Sequence, residues 1–441
     1  MKNILRIFGI SIILFAATIL PGITAAFSLS PLLYFAAGAV FAAANIIPSP
    51  GRILPIRCKA EKGGAVLLSS FLILAVLEII YIIIGAIHFF GWFTAVFWIN
   101  TAVMAVSEFI IFWNGIIRIY VTSSMLGINR RIIGILCGMI PIVNIIVLLH
   151  IIKIAFSETN MEERRIINNE NRKNKAVCKT KYPIVLVHGV FFRDLEKFNY
   201  WGRIPTELQK NGAEIFYGNQ QSSICIKDSA IEIAGRIQEI LKQTGSEKVN
   251  IIAHSKGGLD CRYAISCLGM DKYTASLTTI NTPHRGCVFA EWLLSHAPEG
   301  LKNEIADKYN KAFLKLGDTR TDFIGAVTDL TAEKCEIFNK EVKNSPLVYY
   351  QSTGSKINTV MTSIFPLNFS HILASYFDGA NDGLVSAKSS EWGEKFIFLE
   401  SKCPDGISHA DVIDLMRHDK PDFDVREFYV GLVSGLREKG F

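Results

Sequence analysis

Three absences narrow what this 441-residue chain can be. It has no internal repeat, which excludes the solenoid and propeller architectures that declare themselves by a fixed period. Its nine cysteines never fall in a Cys-x-x-Cys pair, so the usual zinc and dithiol redox spacings are missing. Acidic residues are scarce in the first third. Residues 1–156 hold 3 Asp and Glu against 10 Lys and Arg, a net +7, whereas residues 157–181 carry +3 and residues 182–441 carry −4. The overall +6 therefore belongs to one end of the chain rather than to a basic patch on a folded domain, and no nucleic-acid partner is expected.

What fills that first third is apolar. Hydrophobic stretches run over residues 8–27, 31–47, 65–89, 93–117 and 132–155, each near the ~20 residues that span a bilayer. They predict an all-α transmembrane region of about five helices over residues 1–156. The opening segment, with Lys2 and Arg6 before an apolar run, also fits a signal peptide. Four more such segments follow, so it reads as a retained first helix. The N-terminus, the second loop (Arg52, Arg57, Lys59, Lys62) and the fourth (Arg130, Arg131) are basic, while the first and third loops carry no charge. By the positive-inside tendency, five crossings from a cytoplasmic N-terminus predict everything beyond Phe156 on the outer face. Glu78 and Glu108 lie inside the spans, where a carboxylate needs a partner. A polar clasp between helices, sharing a proton or using Asn114 or Arg118, is favoured over an ion or substrate path.

Residues 157–181, "SETNMEERRIINNENRKNKAVCKTK", are dense in charge and read as a juxtamembrane linker. From Tyr182 the pattern alternates. "YPIVLVHG" and "AEIFYG" are short β-branched or aromatic runs; "DSAIEIAGRIQEILKQTG" spaces Ile233, Ile237, Ile240 and Leu241 along one helical face and stops at Gly245; "VNIIAHS" is again a strand. This order predicts an α/β domain over residues 182–441, with a mainly parallel sheet, helices on both faces, and sites beyond the carboxyl ends of the strands.

In "VNIIAHSKGGLD" a strand gives way to a helix at Ser255, with Ala253 and Gly257 two residues to either side. Small residues there let a sharp turn hold a serine clear of its neighbours, the arrangement of a nucleophile elbow. The plainer alternative, a serine capping the next helix, would need no His-Gly loop upstream and no acid and base downstream. Both are present. The ordered set "YPIVLVHGV", "AHSKGGLD", "TINTPHRG", "FNKEV" with "YYQSTGS", "NDGLVS" and "SHADVIDL" resembles the bacterial true lipases (triacylglycerol lipases) of the α/β-hydrolase superfamily, over about residues 182–416.

The resemblance implies Ser255 as nucleophile, Asp382 as the acid and His409 as the base, in the chain order serine, acid, histidine. Asp378 and His418 are the reserve candidates. Oxyanion donors would be the backbone N–H groups of Val190, after "HG", and Lys256, after the serine. His188 and His254 flank these motifs and read as packing or hydrogen-bonding residues. No cofactor is required by this chemistry. The resemblance implies a structural calcium near the base, for which Asp411 matches one ligand, but "GSKINTVMTSIFPLNFSHILASYF" before Asp382 holds no carboxylate where the second is expected.

Residues 287–345 form a helix-rich insertion whose Phe289, Trp292, Leu293 and Phe323 are core or the face of a lid. Seven cysteines follow the last apolar segment, so at least one is unpaired within the chain, which fits an oxidising exterior poorly. The expected function is that of a membrane-anchored serine hydrolase cleaving lipid carboxylic esters. The alternatives are an acyltransferase using the same three residues, or a non-catalytic hydrolase-like domain attached to a transport or signalling module.

Overall fold

The computed structural model describes residues 2–47, 53–88, 94–190, 199–315, 317–359 and 367–441. It divides into two compact units, Met1–Asn168 and Asn169–Phe441.

The first unit is helical: α1 (Lys2–Ala26), α2 (Leu32–Ile46), α3 (Ile56–His88), α4 (Ala95–Thr122), α5 (Gly127–Cys137) and α6 (Val143–Arg172). Four of these, α1, α3, α4 and α6, are long and apolar enough to cross a membrane, one fewer than expected. The 15 residues of α2 reach about 22 Å at 1.5 Å each, short of a hydrocarbon core of roughly 30 Å. The expected fifth span, residues 132–155, is broken. After α5 comes a turn containing Gly138 and Pro141, Ile142 sits at φ 68°, and α6 starts afresh at Val143. Pro141 has no N–H to give the Cys137 carbonyl, and the left-handed Ile142 turns the chain away from the helical path.

α6 continues as helix to Arg172, through most of the segment read as a linker, because Glu, Arg and Met there are good helix formers. α3 and α4 approach closely at Gly64 and Gly115, where a Cβ on Gly64 would stand 2.8 Å from the Gly115 carbonyl. Asn114 and Arg118 do not serve Glu78 or Glu108. They donate to the Asn45 carbonyl at 2.9 and 2.5 Å, holding the end of α2 against α4.

The second unit is built on six parallel strands in the order β2-β1-β3-β4-β5-β6. They are β1 (Ile184–Val187), β2 (Ile215–Tyr217), β3 (Val249–His254), β4 (Thr274–Ile280), β5 (Tyr349–Ser355) and β6 (Lys395–Leu399). Between β1 and β3 lie α7 (Ile204–Lys210) and α8 (Ile226–Thr244), and α9 (Lys256–Cys267) follows β3. The insertion after β4 is α10 (Val288–His296), α11 (Glu299–Lys315), α12 (Phe323–Thr328) and α13 (Ala332–Glu341). α14 (Leu367–Asp378) and α15 (Ala387–Ser390) precede β6, and α16 (Val425–Glu438) ends the chain.

Strand alternation divides the core in two. Ile184 and Leu186 of β1 join Ile204 and Leu208 of α7 and Tyr429 and Val433 of α16 on one face. Val185 and Val187 meet Ile233, Ile237 and Ile240 of α8 and Ala264 of α9 on the other. α8 closes at Gly245 in the left-handed region, as its sequence predicts. The sheet reverses direction of growth between β1 and β3, so the crevice beyond their carboxyl ends is the natural place for a site.

Candidate active site

β3 is buried along its whole length and delivers Ser255 into a sharp turn at φ 55°, ψ −132°, with α9 starting at the next residue. A non-glycine residue there costs on the order of 1–3 kcal/mol, a strain the surroundings must hold. They do so by close approach. A Cβ on Gly189 would stand 2.7 Å from the Ser255 Cβ, and one on Gly257 2.4 Å from the His188 carbonyl. The Ser255 N–H donates to Ile280 at 2.9 Å, and its carbonyl accepts from Thr282 Oγ1 at 2.7 Å. Ser255 itself remains partly accessible while its neighbours are buried.

Asp382 is fully buried in the turn before α15. Its Oδ1 accepts the Leu384 and Val385 N–H groups at 2.9 and 2.8 Å; its Oδ2 accepts Asn281 Nδ2 at 2.5 Å and pairs with His409 Nδ1 at 2.7 Å. A second bond runs from the His409 N–H to the Asp382 carbonyl at 2.9 Å. Asp382 thus fixes the ring through its carboxylate and the backbone of the histidine through its carbonyl, and a hydrogen on Nδ1 leaves Nε2 as the basic nitrogen. The His409 ring lies 4.4 Å, centroid to centroid, from that of His254, the residue before Ser255. Three side chains from distant loops are gathered at one end of the sheet.

The reserve candidates go elsewhere. Asp378, its carboxyl pushed above the usual range by burial, accepts the Val288 and Phe289 N–H groups that open α10. His418 is exposed. Val190 follows Gly189 at the elbow and is buried, and the Lys256 N–H lies in the first turn of α9, where amides have no partner within the helix. The Lys256 side chain points away into the core, bonded to Asp260 at 2.7 Å and Ser229 at 2.8 Å. Of the insertion residues, Phe289 and Phe323 are core, whereas Trp292 and Leu293 are exposed.

Sequence reasoning missed Asn281 and Tyr200. Asn281, in the quoted "TINTPHRG", ties Asp382 to Ser355 Oγ at 2.7 Å. Tyr200 joins the loop at Gly189 to His254, accepting the Gly189 N–H at 3.2 Å and meeting His254 Nδ1 at 2.6 Å.

No family model matches the chain. A triacylglycerol lipase of Pseudarthrobacter phenanthrenivorans is 32% identical over 197 residues, covering 41% of this chain and 60% of its own. Curated relatives of this chain include triacylglycerol lipases. Another, of Burkholderia plantarii, is 32% identical over 41% of this chain and 54% of its own length, so the chain spans less than two thirds of either. Triacylglycerol lipase 2 of Saccharomyces cerevisiae is 28% identical over 57% of this chain and 77% of its own. Among solved structures, Staphylococcus hyicus lipase superposes with a TM-score of 0.44 at 18% identity, covering 59% of this chain and 97% of that one.

The lipase resemblance implies calcium beside the base, and the residues present do not fit it. Asp411 Oδ2 is taken by three donors: Ser408 N at 2.9 Å, Ser408 Oγ at 2.7 Å and the Lys420 ammonium at 3.0 Å. Among the described residues no group of three or more His, Cys, Asp or Glu is arranged to hold a metal. A divalent cation needs several oxygens, and here a lysine stands against the one carboxylate that matches.

Proposed function

We propose that this protein is a membrane-anchored serine hydrolase that cleaves carboxylic esters of lipids through an acyl-enzyme. The observation that carries the reading is the 2.7 Å pair between His409 and Asp382 beside a serine on a strained strand-to-helix turn. Ser255 attacks the acyl carbonyl as His409 Nε2 takes its proton, since an alcohol is a poor nucleophile without a base. Asp382 stabilises the imidazolium and stays ionised. The Val190 and Lys256 N–H groups receive the oxyanion, His409 returns the proton to the leaving alcohol, and water then repeats the sequence on the acyl-enzyme. The relatives' activity and the apolar Trp292 and Leu293 on the insertion support an acyl-chain substrate. Ser255→Ala should lower ester turnover by at least ~10³-fold and abolish labelling by a fluorophosphonate with the fold intact. His409→Ala should match it. Normal turnover and labelling in Ser255→Ala would overturn the mechanism.

We further infer that the catalytic unit lies on the cytoplasmic side, opposite to the face expected from five spans. Support comes from where the ends of the helices meet. Asn3 donates to Asn160 at 3.4 Å, Arg57 pairs with Glu158 at 2.7 Å and Lys62 with Glu163 at 2.8 Å. Glu158 also accepts Ser123 Oγ, Ser124 Oγ and the Met125 N–H at 2.7, 2.6 and 2.9 Å. The start of α1, the start of α3, the end of α4 and the polar half of α6 therefore share one end, the end with the basic loops. On this reading α2, although short, returns the chain to that end, where Asn45 meets Arg118, and α5 with the apolar half of α6 forms a hairpin that enters and returns without crossing. With the positive-inside tendency, the chain leaves the helical unit in the cytoplasm.

A further inference from the structure

The geometry points to Tyr200 and His254 as positioning residues that hold the base His409 and tie it to the oxyanion loop through one hydroxyl. The inference rests on the proposed roles of Ser255 and His409 and goes beyond them, since neither Tyr200 nor His254 touches the reacting atoms.

His254 is buried at the end of β3 with its ring 4.4 Å from that of His409, at 49°. Trp201 packs edge-on against it with centroids 6.4 Å apart. The Tyr200 hydroxyl accepts the Gly189 N–H at 3.2 Å and lies 2.6 Å from His254 Nδ1, to which we assign its own hydrogen. An imidazole that accepts at Nδ1 carries its hydrogen on Nε2 and is neutral. That hydroxyl sets the tautomer of His254, and burial keeps the ring neutral.

Neutrality matters because His409 becomes cationic as it takes the serine proton. A second cation with its ring 4.4 Å away would oppose that charge directly, whereas a neutral ring gives it a polarisable wall. The titratable groups around His254 are His409, His188 and Tyr200, with Asp382 beyond His409. Burial, then the charges of His409 and His188, holds His254 well below the usual histidine range, with only the His409 backbone pulling the other way. The same hydroxyl grips Gly189, whose next residue offers an oxyanion donor. Tyr200 thereby sets the spacing between the group that takes the proton and the group that receives the negative charge. A displacement of about 1 Å between such groups can cost ~10²-fold in rate.

Tyr200→Phe removes the hydroxyl and keeps the ring. The expected result on the full-length protein is a fall in kcat of about 10- to 100-fold with KM nearly unchanged. His254→Gln, which keeps an acceptor for Tyr200 but has no ring, should lose kcat in the same way, again with KM nearly unchanged. A merely structural tyrosine would change the melting temperature and leave kcat of the folded protein in place. If Ser255→Ala and His409→Ala keep their activity, the reading of the site fails. If they lose it while folded Tyr200→Phe keeps the wild-type kcat, this inference alone fails.

Discussion

Asp382 shows how one carboxylate sets two structures. Its Oδ1 closes the turn through two backbone N–H groups, and its Oδ2 serves His409 and Asn281. An amide has one acceptor oxygen, so Asp382→Asn must fail one side: either the Leu384 and Val385 amides are left facing an NH2, or His409 Nδ1–H meets a donor and its tautomer reverses. The turn is worth keeping, since each buried amide without an acceptor costs about 1–3 kcal/mol, so the histidine side should give way. Asp382→Asn should lower kcat by roughly 10⁴-fold, while the melting temperature stays close to that of the parent. A variant that melts far earlier yet retains its turnover would reverse the assignment. The proposed trio Ser255, Asp382 and His409 could be picked out in the sequence because each sits in a motif with its own turn residues and the three come in a fixed chain order. Asn281 and Tyr200 were not, since their partners lie 101 and 54 positions away and only the folded sheet brings them together.

Among the elements, the parallel strands and α8 were legible from β-branched runs and helical spacing, because in both the period of burial is the period of the structure. The hairpin of α5 and α6 was hidden. Its turn lies in an apolar run, where hydropathy does not distinguish a break from a continuous span, and only Gly138 and Pro141 mark it. The loop that carries His409 offers the sharper case. It is fastened by ion pairs of Lys420 to Asp411 at 3.0 Å, Arg203 to Asp414 at 2.6 Å and to Asp419 at 2.9 Å, and Arg426 to Asp419 at 3.0 Å, with a left-handed Asp414 between them. Asp414 and Asp419 are buried, and breaking such a pair by removing one partner costs about 3–5 kcal/mol. The lysine does at Asp411 what a divalent ion would do with more ligands. Melting of the full-length protein should therefore be the same in excess calcium and in excess chelator, and Lys420→Met should lower both melting temperature and turnover. A rise in melting temperature with calcium would mean that the ammonium yields the site to the ion.

At the scale of the whole molecule, charge and thiols both bear on the proposed cytoplasmic placement. All nine cysteines are free, and seven of them follow the apolar helices. Burial pushes the Cys178 and Cys335 thiols up to about 12, which leaves almost no thiolate and makes them inert inside the fold. The proposed cytoplasmic placement would keep these thiols in a reducing compartment. The shared end of the helices supports the proposed location through Arg57, Lys62, Glu158 and Glu163. Cys267 is the exposed thiol of the catalytic unit and serves as a native reporter. In intact spheroplasts a membrane-impermeant maleimide should leave Cys267 unmodified, and it should label the protein once the membrane is opened. The Cys267→Ser variant identifies which signal belongs to that position. Labelling of Cys267 in intact spheroplasts would put the catalytic unit outside and would require the hairpin of α5 and α6 to cross, a result that leaves the hydrolase chemistry untouched.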